Sequence, residues 1–122
     1  MGAPLNQETI NDVAKLIMHR LIARSLARDP SLIERTKVSL ARIAARFPDR
    51  SFVQDWDQLL RLPPGQVRAL LTSRNQDMRR LRLSSPFMTA EGVDFGDETL
   101  RRRIRRAAKR IATRASRAAV AA

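Results

Sequence analysis

The sequence predicts an all-α protein: a compact bundle of about five helices, then a C-terminal Arg-rich amphipathic helix. Three observations point there. Apolar residues make up 43% of the chain but aromatics only 4%, so the apolar content is mostly Leu, Ile, Val and Ala, a mixture that suits helices better than sheets. Glycine is scarce, at four residues, and tyrosine is absent. Apolar positions recur at three- and four-residue spacings, and proline falls at several of the breaks between them. A chain of 122 residues is the size of one domain.

The first helix is expected over about residues 9–27, with Thr9 and Asp12 as a variant capping box. At about 100° per residue, Ile10, Val13, Ala14, Ile17 and Leu21 share one face. Met18, Ile22 and Leu26 widen it, Leu16 lies beyond its other edge, and Arg20 and Arg24 border it and must reach outward. A helix this apolar must be largely surrounded, by its own fold or by a dimer mate. The second helix follows "RDPS", with Asp29 as cap and Pro30 at the first position. Leu32, Ile33, Leu40, Ile43, Ala44 and Phe47 make its apolar face, while Arg35, Arg42 and Arg46 share another, and Pro48 ends it. "SFVQDW" opens the third, with Ser51 and Gln54 as a capping box and Trp56, Leu59 and Leu60 for the core. "LPPG" breaks the chain before a short fourth helix carrying Val67, Leu70 and Leu71. Ser73 and Gln76 begin a fifth, which runs through Arg82.

Three segments follow from this: a helical body at 6–87, an acidic connector at 88–97 and a basic helix at 98–120. Asp97 is the natural cap of the last helix, and Glu98 suits its positive end. Leu100, Ile104, Ala107, Ile111, Ala115 and Ala118 form a narrow seam of mainly small residues. The expected body core comprises Ile10, Val13, Ile17, Leu21, Leu32, Leu40, Ile43, Phe47, Trp56, Leu59, Leu60, Leu70 and Phe87.

Net charge is +12, from 24 Lys/Arg against 12 Asp/Glu, so an acidic partner is the first expectation. Arginine outnumbers lysine 21 to 3, which favours paired contacts to phosphate or carboxylate and also follows from GC-rich coding. The absence of cysteine removes disulfides, zinc–thiolate sites and thiol nucleophiles. "MGAPLNQETI" lacks the charged head and apolar run of a signal peptide, and no run approaches the roughly 20 apolar residues of a membrane span. The expectation is a cytoplasmic protein with no membrane partner.

Catalytic constellations are sparse. The single histidine, His19, falls beside Asp12 and Lys15 and is expected at the surface. Asp55 and Asp57 point to different sides of their helix, and neither a glycine-rich phosphate loop nor a cluster of metal ligands is present. No enzymatic activity, metal or cofactor is expected. Residues 52–82 have a loose helix-turn-helix pattern, and Arg74, Asn75, Gln76, Arg79 and Arg80 are side chains that can read base edges. The stiff "LPPG" and the misplaced turn residues favour a packed helical corner instead.

The basic segment remains. Nine cations lie between Arg101 and Arg117, with no carboxylate among them. They suit phosphate-backbone contact, and with no aromatic interleaved they do not suit base stacking. Alternatively the seam lets a partner helix come close while the arginines meet carboxylates, the segment ordering on binding. The third reading is a helix docked by its seam on the body with its cations in water.

"FVQDWDQLLRLPPGQVRALLTSRNQDMRRLRLSSPF", residues 52–87, and the preceding "HRLIARSLARDPSLIERTKVSLAR" resemble small helical antitoxin-like proteins of bacterial toxin–antitoxin loci. The resemblance covers about residues 10–90 and includes "LRLSSPF". It implies a non-enzymatic component that binds a cognate, toxin-like protein, with Ser84, Ser85, Pro86 and Phe87 as a docking turn or a helix stop. The expected function is therefore an antitoxin-like protein that binds and neutralises a partner and has the charge to touch DNA. The alternative is a nucleic-acid-binding accessory or regulatory protein. In either case the contact residues are Arg101, Arg102, Arg105, Arg106, Lys109 and Arg110, and for nucleic acid also Arg35, Arg42 and Arg46. The sequence leaves the partner and the oligomeric state open, a dimer included.

Overall fold

The computed structural model describes residues 6–121. Residues 1–5, part of the segment read above for a leader, and Ala122 lie outside the described residues. Among the described residues the fold is all-α: α1 (Gln7–Arg28), α2 (Leu32–Arg46), α3 (Ser51–Leu60), α4 (Pro64–Leu71), α5 (Gln76–Arg82) and α6 (Glu98–Ala121), with a 3-10 turn at Pro86–Thr89 between the last two.

The helix starts show which polar residues won the caps. Asn6, not Thr9, begins α1, its Oδ1 accepting from the Thr9 amide at 2.7 Å. Asp29 and Pro30 form a turn ahead of α2, where Asp29 accepts from the Ser31 amide at 3.1 Å. Arg50 precedes α3 without a side-chain cap, so the Ser51–Gln54 box does not form. Asn75 caps α5 through the Met78 amide at 2.8 Å. Asp97 caps α6 as expected, accepting from the Leu100 amide at 3.1 Å.

α1 is the central strut, touching α2, α4, α5 and α6. This explains its apolar circumference: the molecule's own helices surround it. Two apolar clusters share it. The larger one joins Ile22 and Leu26 of α1 to Leu32, Ile33 and Leu40 of α2, to Trp56, Leu59 and Leu60 of α3, and to Val67, Leu71, Met78, Leu81 and Phe87. Trp56 and Phe87 are both fully buried and meet edge-to-face at 6.0 Å. The Trp56 indole N–H donates to the Leu81 carbonyl at 3.2 Å.

The smaller cluster lies between α1 and α6. Ile10 and Ala14 are buried with Ile104, Ala108 and Ala112, and Val13, Ile17, Met18 and Leu21 pack around them. Residues assigned above to the body core, Ile10, Val13, Ile17 and Leu21, are therefore covered by the basic helix. The buried row of α6 is Ile104–Ala108–Ala112, a four-residue ridge; Ala115 and Ala118, expected in the seam, are exposed. Ala108 is 0% exposed, so the two helices approach closely where side chains are small.

The connector is anchored as well. Met88, Ala90, Val93 and Phe95 pack on the main cluster, and Phe95 touches both clusters. Arg35 donates from Nε to the Glu91 carbonyl at 2.8 Å, from Nη1 to Ser31 Oγ at 2.8 Å and from Nη2 to Asp29 Oδ2 at 3.1 Å. Gly92, beside that guanidinium, has φ +90°, a conformation that favours glycine. Phe47, expected in the core, is 45% exposed because it lies past the end of α2, with the Arg46 guanidinium 5.7 Å from its ring centre.

Candidate functional site

α6 is positioned by its buried row, with Leu100 packed beside it and Ala107 and Ile111 half-buried, and its cations all face solvent. At a rise of about 1.5 Å per residue, the run from Arg101 to Arg117 extends about 24 Å. All nine of its cations are exposed. Only Arg102 is ion-paired among the described residues, with Glu98 at 2.8 Å, one turn before it. The other five ion pairs lie on the body and join Arg35 to Asp29, Lys37 to Glu34, Arg61 to Asp57, Arg79 to Asp12 and Arg80 to Asp55. Body cations such as Arg24, Arg42 and Arg68 form none among the described residues, but they are not concentrated on one helix. The structure therefore leaves Arg101, Arg105, Arg106, Lys109 and Arg110 nearly unneutralised around the exposed circumference of one docked helix, with Arg103, Arg114 and Arg117 extending the run.

The remaining candidates do not join that face as free groups. Arg35 is held by the connector clamp. Hydrogen bonds from Ser31, then from Arg35, hold the Asp29 carboxyl below its ordinary value. Arg42 and Arg46 are exposed on α2. Ser85, Pro86 and Phe87 are buried, so the "SSPF" turn docks on its own core. Ser85 Oγ accepts from the Phe87 amide, and Ser84 Oγ donates to the Leu81 carbonyl. Of the base-reading candidates, Arg79 and Arg80 are ion-paired and Asn75 is a cap. At seven residues, α5 is too short to project as a recognition helix.

Two interior polar groups were missed. His19 is fully buried rather than at the surface. Its Nδ1 lies 2.7 Å from the Lys15 carbonyl, so Nδ1 carries the proton and donates, and Nε2 is buried without a partner. Burial lowers its pKa to about 4; the hydrogen bond to Lys15 opposes the shift, and the charges of Arg82 and Lys15 reinforce it. Arg82 is 2% exposed. Its Nη1 donates to the carbonyls of Leu71 at 3.2 Å and Ser73 at 2.6 Å, which closes the C-terminal end of α4. The available signal was spacing. Arg82 lies four residues after buried Met78, and His19 lies between buried Leu16 and Ile22.

Among the described residues no group of three or more His, Cys, Asp or Glu could hold a metal ion. Nor is any helix among them long and apolar enough to cross a membrane. Comparisons with protein-family models, with curated proteins and with solved structures each find no match to this chain.

Proposed function

We propose that this protein is a non-enzymatic binding protein whose outer α6 face engages the phosphate backbone of nucleic acid. One observation carries the reading: eight of the nine α6 cations are exposed without an ion pair on a helix whose apolar row is already buried. With Ile104, Ala108 and Ala112 occupied, the apolar side chains still exposed on α6 are few and mostly at its C-terminal end, and along residues 101–117 charge is mainly what it presents. The cations span about seven base-pair steps at 3.4 Å each. Backbone contact with no aromatic on α6 gives affinity without base choice. If about five phosphates are met, log K against log salt has a slope of about −4 to −5 on duplex DNA. Fluorescence anisotropy with a random-sequence duplex tests this. Reversing Arg101, Arg105 and Lys109 to Glu should abolish binding in about 0.15 M salt. Undiminished binding by that variant, or no binding by the native chain, overturns the reading.

A protein partner, the antitoxin-like reading, is supported by a different surface. Val38 on α2 is 53% exposed and Phe47, just past its end, 45%, and exposed Arg42 and Arg46 lie between them in the chain. Purification from the native host after nuclease treatment separates the two. A stoichiometric protein that co-elutes with the native chain but not with Phe47→Ala supports this second reading. Nucleic acid lost with the α6 charge reversals supports the first.

A further inference from the structure

We propose that the cleft between α1, α5 and α6 binds a small amphipathic anion, a carboxylate or phosphate carried on a compact hydrocarbon or aromatic group. The site is independent of the outer α6 face.

The cleft has a volume of about 270 Å³, just below the roughly 300–1,000 Å³ usual for small-molecule sites. Its walls divide by chemistry. Val13 and Leu16 of α1 face it together with Ile111 and Ala115 of α6, which makes an apolar side. Arg20, Arg74, Arg79 and Arg82 supply the other. Asp12 is the one carboxylate lining it, and Asp12 is already paired with Arg79 at 2.9 Å. Arg20, Arg74 and Arg82 therefore share a small volume with Asp12 as the one carboxylate near them, and none of the three forms an ion pair among the described residues.

Arg82 is the second, independent observation. Arg82, 2% exposed, has lost most of its water, and no carboxylate hydrogen-bonds to it directly; Asp12, already paired with Arg79, acts on it only at a distance. Nη1 is engaged by two carbonyls, whereas Nε is buried with no partner and Nη2 has none either. Nη2 is the donor open to a carboxylate or phosphate oxygen, with the sealed Nε beside it on the same edge of the guanidinium. A buried charge with no ion pair of its own is costly, and an anion in the cleft supplies one. The apolar wall then selects an anion with a hydrocarbon or aromatic body over inorganic phosphate. The small volume disfavours a nucleic-acid strand.

Calorimetric titration of the full chain in about 0.15 M salt tests this with phenyl phosphate and benzoate, against inorganic phosphate and phenol. At least one of the two aromatic anions should bind one per chain, at least about tenfold tighter than inorganic phosphate or phenol. Which of the two binds identifies the head group. Arg74→Glu removes an exposed cation of the cleft, and Ala115→Phe fills it from an exposed position; each should weaken binding at least about tenfold. Arg28→Glu, with the same charge change at the far end of α1, should not. The proposal fails if neither aromatic anion binds up to about 10 mM. It also fails if inorganic phosphate binds as tightly, or if Arg28→Glu weakens binding as much as Arg74→Glu. Circular dichroism establishes that each variant is folded.

Discussion

Lowering the pH from 7 towards 4 loads a proton onto the unfolded chain at position 19 well before the folded one. In the fold, the His19 imidazole is fully buried, and its pKa drops from 6.5 to about 4. The sign follows from the direction. Because the folded pKa is depressed, the neutral form is the native one, and its contribution to stability is complete above pH 6.5. It is lost as pH falls from 6.5 through about 4. At about 1.36 kcal/mol per pH unit, that window is worth about 3 kcal/mol, a large share of the roughly 5–15 kcal/mol that holds a domain together. Urea denaturation at fixed ionic strength, followed by the fluorescence of the single, fully buried Trp56, measures it. His19→Leu removes the titrating group and keeps an apolar filling. The native chain should lose about 3 kcal/mol more than His19→Leu between pH 7 and 4. Asp29, whose carboxyl lies below its ordinary value, adds an acid-side loss common to both proteins, and it cancels in the difference. Parallel stability profiles for the two, or an imidazole proton resonance titrating near 6.5, would show that the ring is not buried neutral.

The α1–α6 interface should be part of the global fold: Ile104→Ala, at a position 4% exposed, is expected to cost about 3 kcal/mol, read as a fall in Tm on the order of 10 °C. An unchanged Tm would mean that α6 is not docked. At the connector, Arg35→Ala removes three hydrogen bonds, to Glu91, Ser31 and Asp29. Faster amide exchange at residues 90–95, with α3 unaffected, is the expected result. Gly92→Ala should cost about 1 kcal/mol or more for its positive φ, by chemical denaturation.

The helices were legible because apolar spacing and proline breaks are local signals, and α1 to α6 fall within a few residues of the expected positions. Which face meets which neighbour is not local. α1 carries two apolar stripes, and periodicity could not say that Ile10, Ala14 and Ile17 belong to α6 while Ile22 and Leu26 belong to the main core. His19 was misplaced for a related reason: polar identity suggested solvent, but its angular position within the second stripe, beside Leu26 and between Leu16 and Ile22, put it inside. Arg82 was hidden because the carbonyls that hold it, of Leu71 and Ser73, become a receptor only once α4 and α5 pack together. The cationic surface was the easiest to see, since nine charges in one run need no tertiary information. That the run is a docked helix rather than an unattached arm depended on a second helix with matching small residues, Ala14 against Ala108 and Ala112.

Amide hydrogen exchange on the free protein bears on that docking without any ligand. The amides of Ile104, Ala108 and Ala112 should exchange as slowly as those of α1, in the absence of nucleic acid or any other partner. Adding duplex DNA should then slow exchange only modestly. Fast exchange along residues 100–116, slowed only when an anionic partner is added, would mean that the helix forms on binding and that its cationic face is not preorganised.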